Sequence, residues 1–241
     1  MLTGIMARVE DCLRAPTCEE MSERFFTAMG SHGATYLQTR LYRRPSAPLN
    51  SANHWAAGGV IKRIAREGWV GGAAHNYICF DCNPLLGAIR ENRTRYRFSD
   101  FAPRDAREYG AYWEAFSEGG IAEGLCATSY GPGGAIASLH LGMGDSELSP
   151  EESRAIQMAG LVLTERLLEF AEPPEAPPLR LGPREREALA LVAEGKTDWE
   201  VSVILGISEA TARFHIDNAR RKLGAVNRAQ AVAKLVHQRL I

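Results

Sequence analysis

The last part of the chain alternates helical hydrophobic spacing with residues that start and stop helices. Leu189 and Val192 lie one helical turn apart, after Pro183, a residue type favoured at the first helical position. Gly195 follows them, and glycine commonly ends a helix. Thr197-Asp-Trp-Glu200 has the form of a capping box. The pattern predicts one helix that stops at Gly195 and a second that opens at Thr197.

Two further helices follow a glycine turn. Ser208 is a favoured N-cap for a third helix, and a fourth is predicted from Arg228 to about Arg239. Leu205-Gly-Ile207 joins the second and third helices, and two short helices joined in this way form a helix-turn-helix unit, whose second member enters the major groove of DNA. The buried positions expected in this pair are Val201, Ile204, Leu205, Ala212, His215 or Ile216, Ala219 and Leu223.

Mixed periods mark the front of the chain. Spacing of three and four residues predicts helices, and alternation among strand-forming residues predicts strands. The predicted helices are Cys18–Met29, Ala57–Trp69, Asp105–Ser117 and Ser149–Phe170, and the predicted strands are Ala34–Tyr42, Gly124–Tyr130 and Ala135–Leu141. Helices before, between and after a few antiparallel strands predict an α+β fold, an α-β-α sandwich in layers.

A proline-rich segment and a change of charge divide the chain at the same place. Ala171–Pro178 holds four of the twelve prolines and cannot continue a helix. From Arg180 onward there are 11 Lys/Arg and 7 Asp/Glu, against 17 and 22 before it. We predict a front domain over residues 1–170, a linker over 171–180 and a four-helix, all-α helix-turn-helix domain over 181–241.

Little in the sequence points to an enzyme, a cofactor or a membrane. Cys79 and Cys82 form the only CxxC pair among five cysteines, and no second pair follows at zinc-site spacing. His54, His75 and His140 stand among neutral neighbours, with no Ser/His/Asp arrangement. No run of about eighteen apolar residues is present, and the first residues do not have the pattern of a signal peptide, so we expect none. We expect a cytoplasmic protein without cofactor, metal or membrane partner; an enzyme fused to a DNA-binding tail is a weaker alternative.

The exposed side of the third C-terminal helix carries residues suited to reading DNA. Arg213 can donate to guanine O6 and N7, Phe214 can touch a thymine methyl, and Asp217 can accept from cytosine N4. The residues suited to phosphate contacts are Lys196, Thr197, Thr211, Arg220, Arg221, Lys222, Asn227 and Arg228. A solvated helix face is the alternative, but the caps, the glycine turn and the order of apolar positions all favour double-stranded DNA.

This C-terminal segment closely resembles the DNA-binding domain of the LuxR family, over about sixty residues. The match rests on Pro183–Glu187, Glu194–Lys196, Glu200-Val, Leu205–Ser208, Thr211, His215, Lys222–Gly224, Asn227-Arg228 and Ala231. Gly182 stands where the family usually has Thr. The resemblance implies a transcription regulator that acts as a homodimer on an inverted-repeat operator, with RNA polymerase as a candidate further partner.

The front of the chain resembles the autoinducer-binding domain of quorum-sensing LuxR regulators rather than a receiver domain, which would need βαβ alternation. The family's Trp, Tyr and Asp-Pro run is echoed by Trp69, Asn76–Asp81 and Pro84. The resemblance implies that residues 1–170 form a sensor and dimerisation domain with a pocket for a small signal, such as an acyl-homoserine lactone. The residues it assigns to the pocket are Tyr36, Trp69, Tyr77, Asp81, Asn83, Phe98, Trp113, Gly124 and His140.

Two departures from the family keep alternatives open. The family's Asp, which accepts the ligand amide, directly precedes Pro, whereas this chain reads Asp81-Cys-Asn83-Pro84. Aligning on the proline gives the role to Asn83, and aligning on the tyrosine gives it to Asp81. The tyrosine one turn after Trp69 is replaced by Ala73. A non-lactone signal, a ligand-independent dimeric regulator, and aromatic residues that serve only as core all remain alternatives.

Overall fold

A computed structural model describes residues 2–45, 48–144, 148–171 and 181–237. The chain divides into two compact units, Met1–Glu172 and Pro173–Ile241. Except for Ala171, the predicted linker lies outside the described residues, as does the predicted end of the last helix at Arg239. None of the helices within the described ranges is long and apolar enough to cross a membrane.

The front unit combines seven α-helices with five strands in its described part. The helices are α1 Leu2–Leu13, α2 Cys18–Gly30, α3 Ser51–Ala56, α4 Ala73–Asn76, α5 Leu86–Arg90, α6 Gly110–Glu118 and α7 Pro150–Leu168. The strands are β1 Ala34–Arg43, β2 Val60–Ile64, β3 Arg95–Arg97, β4 Glu123–Tyr130 and β5 Ala135–Met143. A π-helical turn, Tyr77–Asp81, continues α4.

The five strands form one antiparallel sheet in the order β2-β1-β5-β4-β3. Because successive side chains point to opposite faces, Leu37 and Leu139 join the apolar core that contains α1, α2 and α7. Tyr36 and Cys126 belong to a second core on the other face, with Trp69 among its members. The predicted α-β-α sandwich is confirmed.

Local signals in the front unit mostly place its elements correctly. Helix α2, strands β1, β4 and β5, and the turn between β4 and β5 lie where the pattern predicts them. Ser149 and Glu152 form the predicted capping box at the start of α7. The helix predicted over Asp105–Ser117 begins later, at Gly110, after a 3₁₀ turn over Arg107–Tyr109.

The helix predicted over Ala57–Trp69 is wrong. The chain instead ends α3 at Ala56, turns through Gly58 and Gly59 at φ +63° and +76°, and pairs β2 with β1. A Cβ at Gly59 would overlap the Leu41 carbonyl, so only glycine fits this turn. The β-branched residues that follow suit the strand.

The back unit contains α8 Pro183–Ala193, α9 Asp198–Leu205, α10 Glu209–Lys222 and α11 Arg228–His237. Thr197 and Glu200 form the predicted capping box, Gly206 adopts φ +65°, and the Ser208 side chain caps α10. The buried choice between His215 and Ile216 is Ile216.

One buried position predicted in α9 is wrong. Ile204 is 54% exposed, whereas Val201 and Ser202 are buried. Residues advance about 100° around a helix, so Val201, Leu205 and Ser202 share one arc and Ile204 lies outside it. Helix α9 therefore buries Val201 but not Ile204, three residues later, which the spacing of apolar residues had also predicted to be buried.

Candidate functional site

Helix α10 exposes the two side chains predicted to read bases most directly. Phe214 is 58% exposed, and the Arg213 side chain is also largely accessible. Arg213 does not extend freely, because its guanidinium contacts Asp198 at 3.1 Å and Glu209 at 3.1 Å. The face that could meet DNA thus carries an arginine already paired with carboxylates of its own unit.

Asp198 connects two helices to the start of α9. Its carboxylate accepts from Arg213 Nε at 3.1 Å and from Arg228 Nη1 at 2.5 Å. Partial burial would raise the pKa of Asp198, but the hydrogen bonds from these arginines outweigh it and hold the pKa below its ordinary value. Arg228 also donates to the Lys196 carbonyl at 2.9 Å, so it braces the unit as well as offering charge.

The remaining residues predicted for DNA fall into two groups. Three pair within the unit: Arg221 bonds to the Asn218 side chain at 2.5 Å, Arg220 bonds to Asp217 and to the Ala225 carbonyl, and Lys222 pairs with Glu185 at 2.7 Å. Three more take part in capping or the turn: Thr197 caps α9, Thr211 bonds to Ser208, and Asn227 accepts from Gln230 N. Lys196 is half-buried.

The front unit holds a cavity on the sheet face opposite α1, α2 and α7. The space between its lining atoms is about 680 Å³ when open solvent is included. The residues that line it are Tyr36, Gln38, Arg40, Tyr42, His54, Trp55, Trp69, His75, Ile78, Cys79, Asn83, Leu85, Leu86, Ile89, Tyr96, Phe98, Phe116, Thr128, Ser138 and His140.

Two histidines in the cavity wall are neutral near pH 7. Burial, followed by the charge of Arg40, lowers the pKa of His54 to about 3 and that of His140 to about 4. His140 Nε2 shares a hydrogen bond with the Tyr96 hydroxyl at 3.1 Å. These rings therefore offer single donors and acceptors, not positive charge.

Comparisons with known proteins identify the family. Residues 179–235 match the family described as bacterial regulatory proteins, luxR family. The transcriptional activator BjaR1 of Bradyrhizobium diazoefficiens is 32% identical over 170 residues, which cover 69% of each chain. This chain belongs to the LuxR family.

Further relatives agree with this assignment. The quorum sensing-dependent regulator RpaR of Rhodopseudomonas palustris is 42% identical over 125 residues, covering 52% of this LuxR-family chain and 51% of RpaR. Escherichia coli SdiA is similar in structure, with a TM-score of 0.56 and 22% identity over 99% of this chain and 98% of SdiA. That likeness shows a common fold.

In this LuxR-family chain the predicted pocket residues separate into two sets. Tyr36, Trp69, Asn83, Phe98 and His140 line the cavity. The Trp69 indole N–H donates to the Ala115 carbonyl at 3.0 Å, so this residue offers the cavity its ring.

Four of the predicted residues do not line it. Asp81 is exposed, Tyr77 is half-buried outside the lining, and the Trp113 indole donates to the Ala102 carbonyl at 3.0 Å. Gly124 lies behind Phe98, where an added Cβ would come within 2.5 Å of the ring.

The π-helical turn determines where the backbone places Asp81 and Asn83 relative to the cavity. The π-helical turn closes with Cys82 N donating to Tyr77 O at 2.8 Å, and such a wide turn accommodates extra residues. Asp81 ends this turn and faces solvent, whereas Asn83 lines the cavity and donates to the Cys79 carbonyl at 3.2 Å. Only the alignment on proline brings a candidate amide acceptor to the cavity.

Several lining residues were missed from sequence. Arg40 is 1% exposed and belongs to β1, where Tyr36, Gln38, Arg40 and Tyr42 alternate along one face. That period of two was available in the sequence, but an arginine on a buried face is unusual enough to read as solvent-facing. His54 and Trp55 come from α3, a helix that was not predicted from the sequence.

The cysteines offer no metal site in the part of the chain that the structure describes. All five are free thiols, and no group of three or more His, Cys, Asp or Glu there could hold a metal ion. Burial raises the pKa of the Cys79 thiol to about 11, which keeps it protonated and unreactive near pH 7.

Proposed function

We propose that this chain is a transcription regulator that binds DNA through its back unit and senses a small signal of the acyl-homoserine-lactone type in its front unit. The observation that carries the proposal is the presence, in one LuxR-family chain, of an exposed helix-turn-helix face and a cavity lined by aromatic residues on one face of the sheet. BjaR1 and RpaR, named as regulators, support the same function.

The three predicted segments take separate roles in this proposal. Residues 1–170 sense the signal and dimerise, residues 171–180 link, and residues 181–241 bind DNA. The back unit carries a net charge of only about +4 from Arg180 onward, and a single module of this size presents a small interface. A homodimer on an inverted-repeat operator would double the positive charge and the interface area that contact DNA.

On the DNA side, Arg213 and Phe214 are the proposed base readers, with Asp217 beside them on the same helix. Arg221 is exposed but bonds to Asn218, so it would have to exchange an internal partner, as would Arg220, Lys222 and Arg228. The other proposed phosphate contacts are Lys196, Thr197, Thr211 and Asn227.

RNA polymerase is a proposed further partner. On α9, Trp199 is 63% exposed, and Val203 is exposed one turn later, although neither is a proposed DNA contact. We expect Trp199→Ala to keep operator binding and lose transcription in a reconstituted reaction. Equal transcription by the Trp199→Ala variant and the unaltered chain would exclude the surface around Trp199 as the contact with RNA polymerase.

On the ligand side, Asn83 would accept the signal's amide N–H, and Tyr36, Trp69, Phe98 and His140 would form the wall. Binding stabilises a folded protein by RT ln(1 + [L]/Kd), about 2.7 kcal/mol at a hundredfold excess over Kd. We expect an acyl- or aryl-homoserine lactone to raise the melting temperature of the full chain. Asn83→Ala should abolish most of that shift, and Asp81→Ala, its exposed neighbour, should keep it.

The full chain also tests whether ligand binding controls DNA binding. Operator affinity of the full chain should rise in the presence of the lactone that raises the melting temperature. If no lactone shifts the melting temperature and the operator binds equally well without one, the front unit is a ligand-independent dimerisation scaffold.

A further inference from the structure

One row of side chains crosses the whole sheet on the face that carries the cavity. The register pairs Arg63 of β2 with Gln38, Gln38 with His140, His140 with Cys126, and Cys126 with Tyr96. Directly paired residues of antiparallel strands have their Cβ atoms on the same face, about 4.5–5.5 Å apart. Gln38, His140 and Tyr96 line the cavity, so polar groups follow one another along its sheet side.

The orientation of the Gln38 side-chain amide is fixed by its neighbours. Arg63 Nε donates to Gln38 Oε1 at 2.8 Å, and the Tyr36 hydroxyl donates to the same oxygen at 3.3 Å. Because an arginine can only donate, the atom that faces Arg63 must be the amide oxygen. The other arm of the amide is therefore the N–H2 donor.

The amide nitrogen of Gln38 has no hydrogen-bond partner within the described ranges, where the oxygen makes both side-chain hydrogen bonds of this residue. The described side-chain atoms that are sealed from solvent without a partner are His54 Nδ1 and the hydroxyls of Tyr112 and Ser153. Gln38 Nε2 is not one of them, although the whole residue is only 4% exposed. Because Gln38 lines the cavity, the accessible part of its amide nitrogen faces that space.

Asn83 presents the complementary group from another wall of the cavity. Its Nδ2 donates to the Cys79 carbonyl at 3.2 Å, and because a carbonyl can only accept, Oδ1 is the arm left for the cavity. Gln38 belongs to β1, whereas Asn83 follows the π-helical turn. The cavity therefore offers an N–H donor on its sheet side and an oxygen acceptor on its helical side, each in a fixed orientation.

Other polar groups of the lining are less selective. The indole N–H groups of Trp55 and Trp69 already donate to backbone carbonyls, each at 3.0 Å. Ser138 and Thr128 form a pair in the next row of the sheet and line the cavity, but a hydroxyl can donate or accept. A hydroxyl cannot distinguish a carbonyl from an N–H group, whereas the fixed amide of Gln38 can.

We propose that Gln38 donates to the acyl carbonyl oxygen of the signal while Asn83 accepts from its amide N–H, and that Arg63 is the positioning residue that fixes the Gln38 amide. The inference rests on the proposed function, because it adds residues to the recognition of the same signal. The N–H and C=O groups of a trans amide point in opposite directions, so they need partners on two sides of the cavity. Gln38 and Asn83 provide one partner each.

Gln38→Glu tests the donor in the full chain. Glutamate has nearly the same shape and keeps an acceptor for Tyr36 and Arg63, but its second arm is an oxygen instead of N–H2. The probes are N-octanoyl- and N-(3-phenylpropanoyl)-homoserine lactone, which share the acyl carbonyl. We expect Gln38→Glu to bind them about tenfold more weakly than the unaltered chain does, by thermal-shift titration, because two acceptors would face each other. Gln230→Glu, the same exchange on α11, should keep the affinity.

Thioamides locate the contact on the signal. The N-thioacyl counterpart of each probe keeps the N–H group but replaces the carbonyl oxygen with sulfur, a weak acceptor. The unaltered chain should prefer the oxygen compound about tenfold, and Gln38→Glu should lose this preference. Arg63→Met should reduce the preference, and Arg63→Lys, which keeps a donor for Gln38 Oε1, should restore it. If Gln38→Glu does not fold, the two Arg63 variants decide.

The outcomes separate this inference from the proposed function. Equal affinity of Gln38→Glu and the unaltered chain for the probes, or an equal preference for oxygen over sulfur in both, overturns the inference and leaves lactone sensing intact. An unchanged preference in Arg63→Met removes Arg63 as the positioning residue. If neither probe shifts the melting temperature of the unaltered chain, the inference and lactone sensing fail together.

Discussion

The two units place their candidate functional residues in opposite environments. In the front unit Tyr36, Trp69, Phe98 and His140 are enclosed between a sheet and its helices, whereas in the back unit Arg213 and Phe214 stand on the surface of α10. A buried functional residue also belongs to the core, so changing it alters stability and recognition together. An exposed one can be changed with little effect on the fold. Function and stability are coupled in one unit and separable in the other.

The sharpest test of that contrast uses two phenylalanines. Phe98→Ala removes a ring that is 1% exposed and packed against Phe116, and should lower the free energy of unfolding by about 3–5 kcal/mol. Phe214→Ala, on the exposed face, should change it by less than about 0.5 kcal/mol. Urea denaturation of both variants measures the difference. Similar losses for the two would remove the distinction between the units.

A second test uses pH. Burial lowers the pKa of His140 to about 4 and of His54 to about 3 in the folded state, against about 6.5 unfolded. The unfolded chain therefore binds these protons first, and the free energy of unfolding should fall as pH drops below about 6.5. Each histidine contributes up to about 1.4 kcal/mol per pH unit.

Denaturation between pH 7 and pH 5 checks this, because the window lies above the ordinary carboxyl range. His140→Gln should reduce the slope of the free energy of unfolding against pH, because one histidine fewer takes up a proton on unfolding. A stability that is flat with pH over this range would mean that neither histidine is buried in its neutral form.

The third test addresses the exposed face. Arg213→Ala should weaken binding to the specific operator by about 1–3 kcal/mol and relax one base position, with unfolding unchanged. Arg184→Ala is the matched control, an exposed arginine of α8 that pairs with Glu187 and is not a proposed DNA contact. Fluorescence anisotropy on operator variants measures both. Equal affinities for the two variants would exclude Arg213 as a reader.

The smallest expected effect concerns an exposed residue that contributes to both stability and proposed DNA binding. Thr197 is a proposed phosphate contact, but its hydroxyl also caps α9 by accepting from Glu200 N at 3.3 Å. Thr197→Ala should cost about 1 kcal/mol of stability, and Thr197→Ser, which keeps the hydroxyl, should restore it. Loss of DNA affinity in the alanine variant alone would show that the exposed unit is not fully separable either.

The contrast also explains how far sequence could predict the structure. The back unit depends on local signals, since Thr197, Gly206 and Ser208 act on residues a few positions away, and those predictions are confirmed. Strand β2 depends on pairing with β1 and on the glycine turn at Gly58 and Gly59. A helical reading of that segment fails because its partner is distant in the chain.

The cavity could be predicted only in part, for a related reason. Tyr36, Trp69, Phe98 and His140 follow from the family pattern and line it. The placement of Asp81 depends on the π-helical turn, which no local signal announced. The burial of Arg40 depends on carbonyls and rings supplied by α3 and the turn after it, so an isolated strand pattern could not reveal it.

The pairing of Arg213 with Asp198 and Glu209 bears on how a regulator ignores the wrong DNA. Binding to nucleic acid commonly gains free energy from released counterions. An arginine already neutralised by its own protein brings little of that gain, because DNA must first displace two carboxylates. Random sequence offers only phosphate charge, whereas a correctly placed guanine offers two directed acceptors. If Arg213 reads a base, its pairing with Asp198 and Glu209 lowers the affinity gained from random sequence more than the affinity gained from a guanine at the correct position.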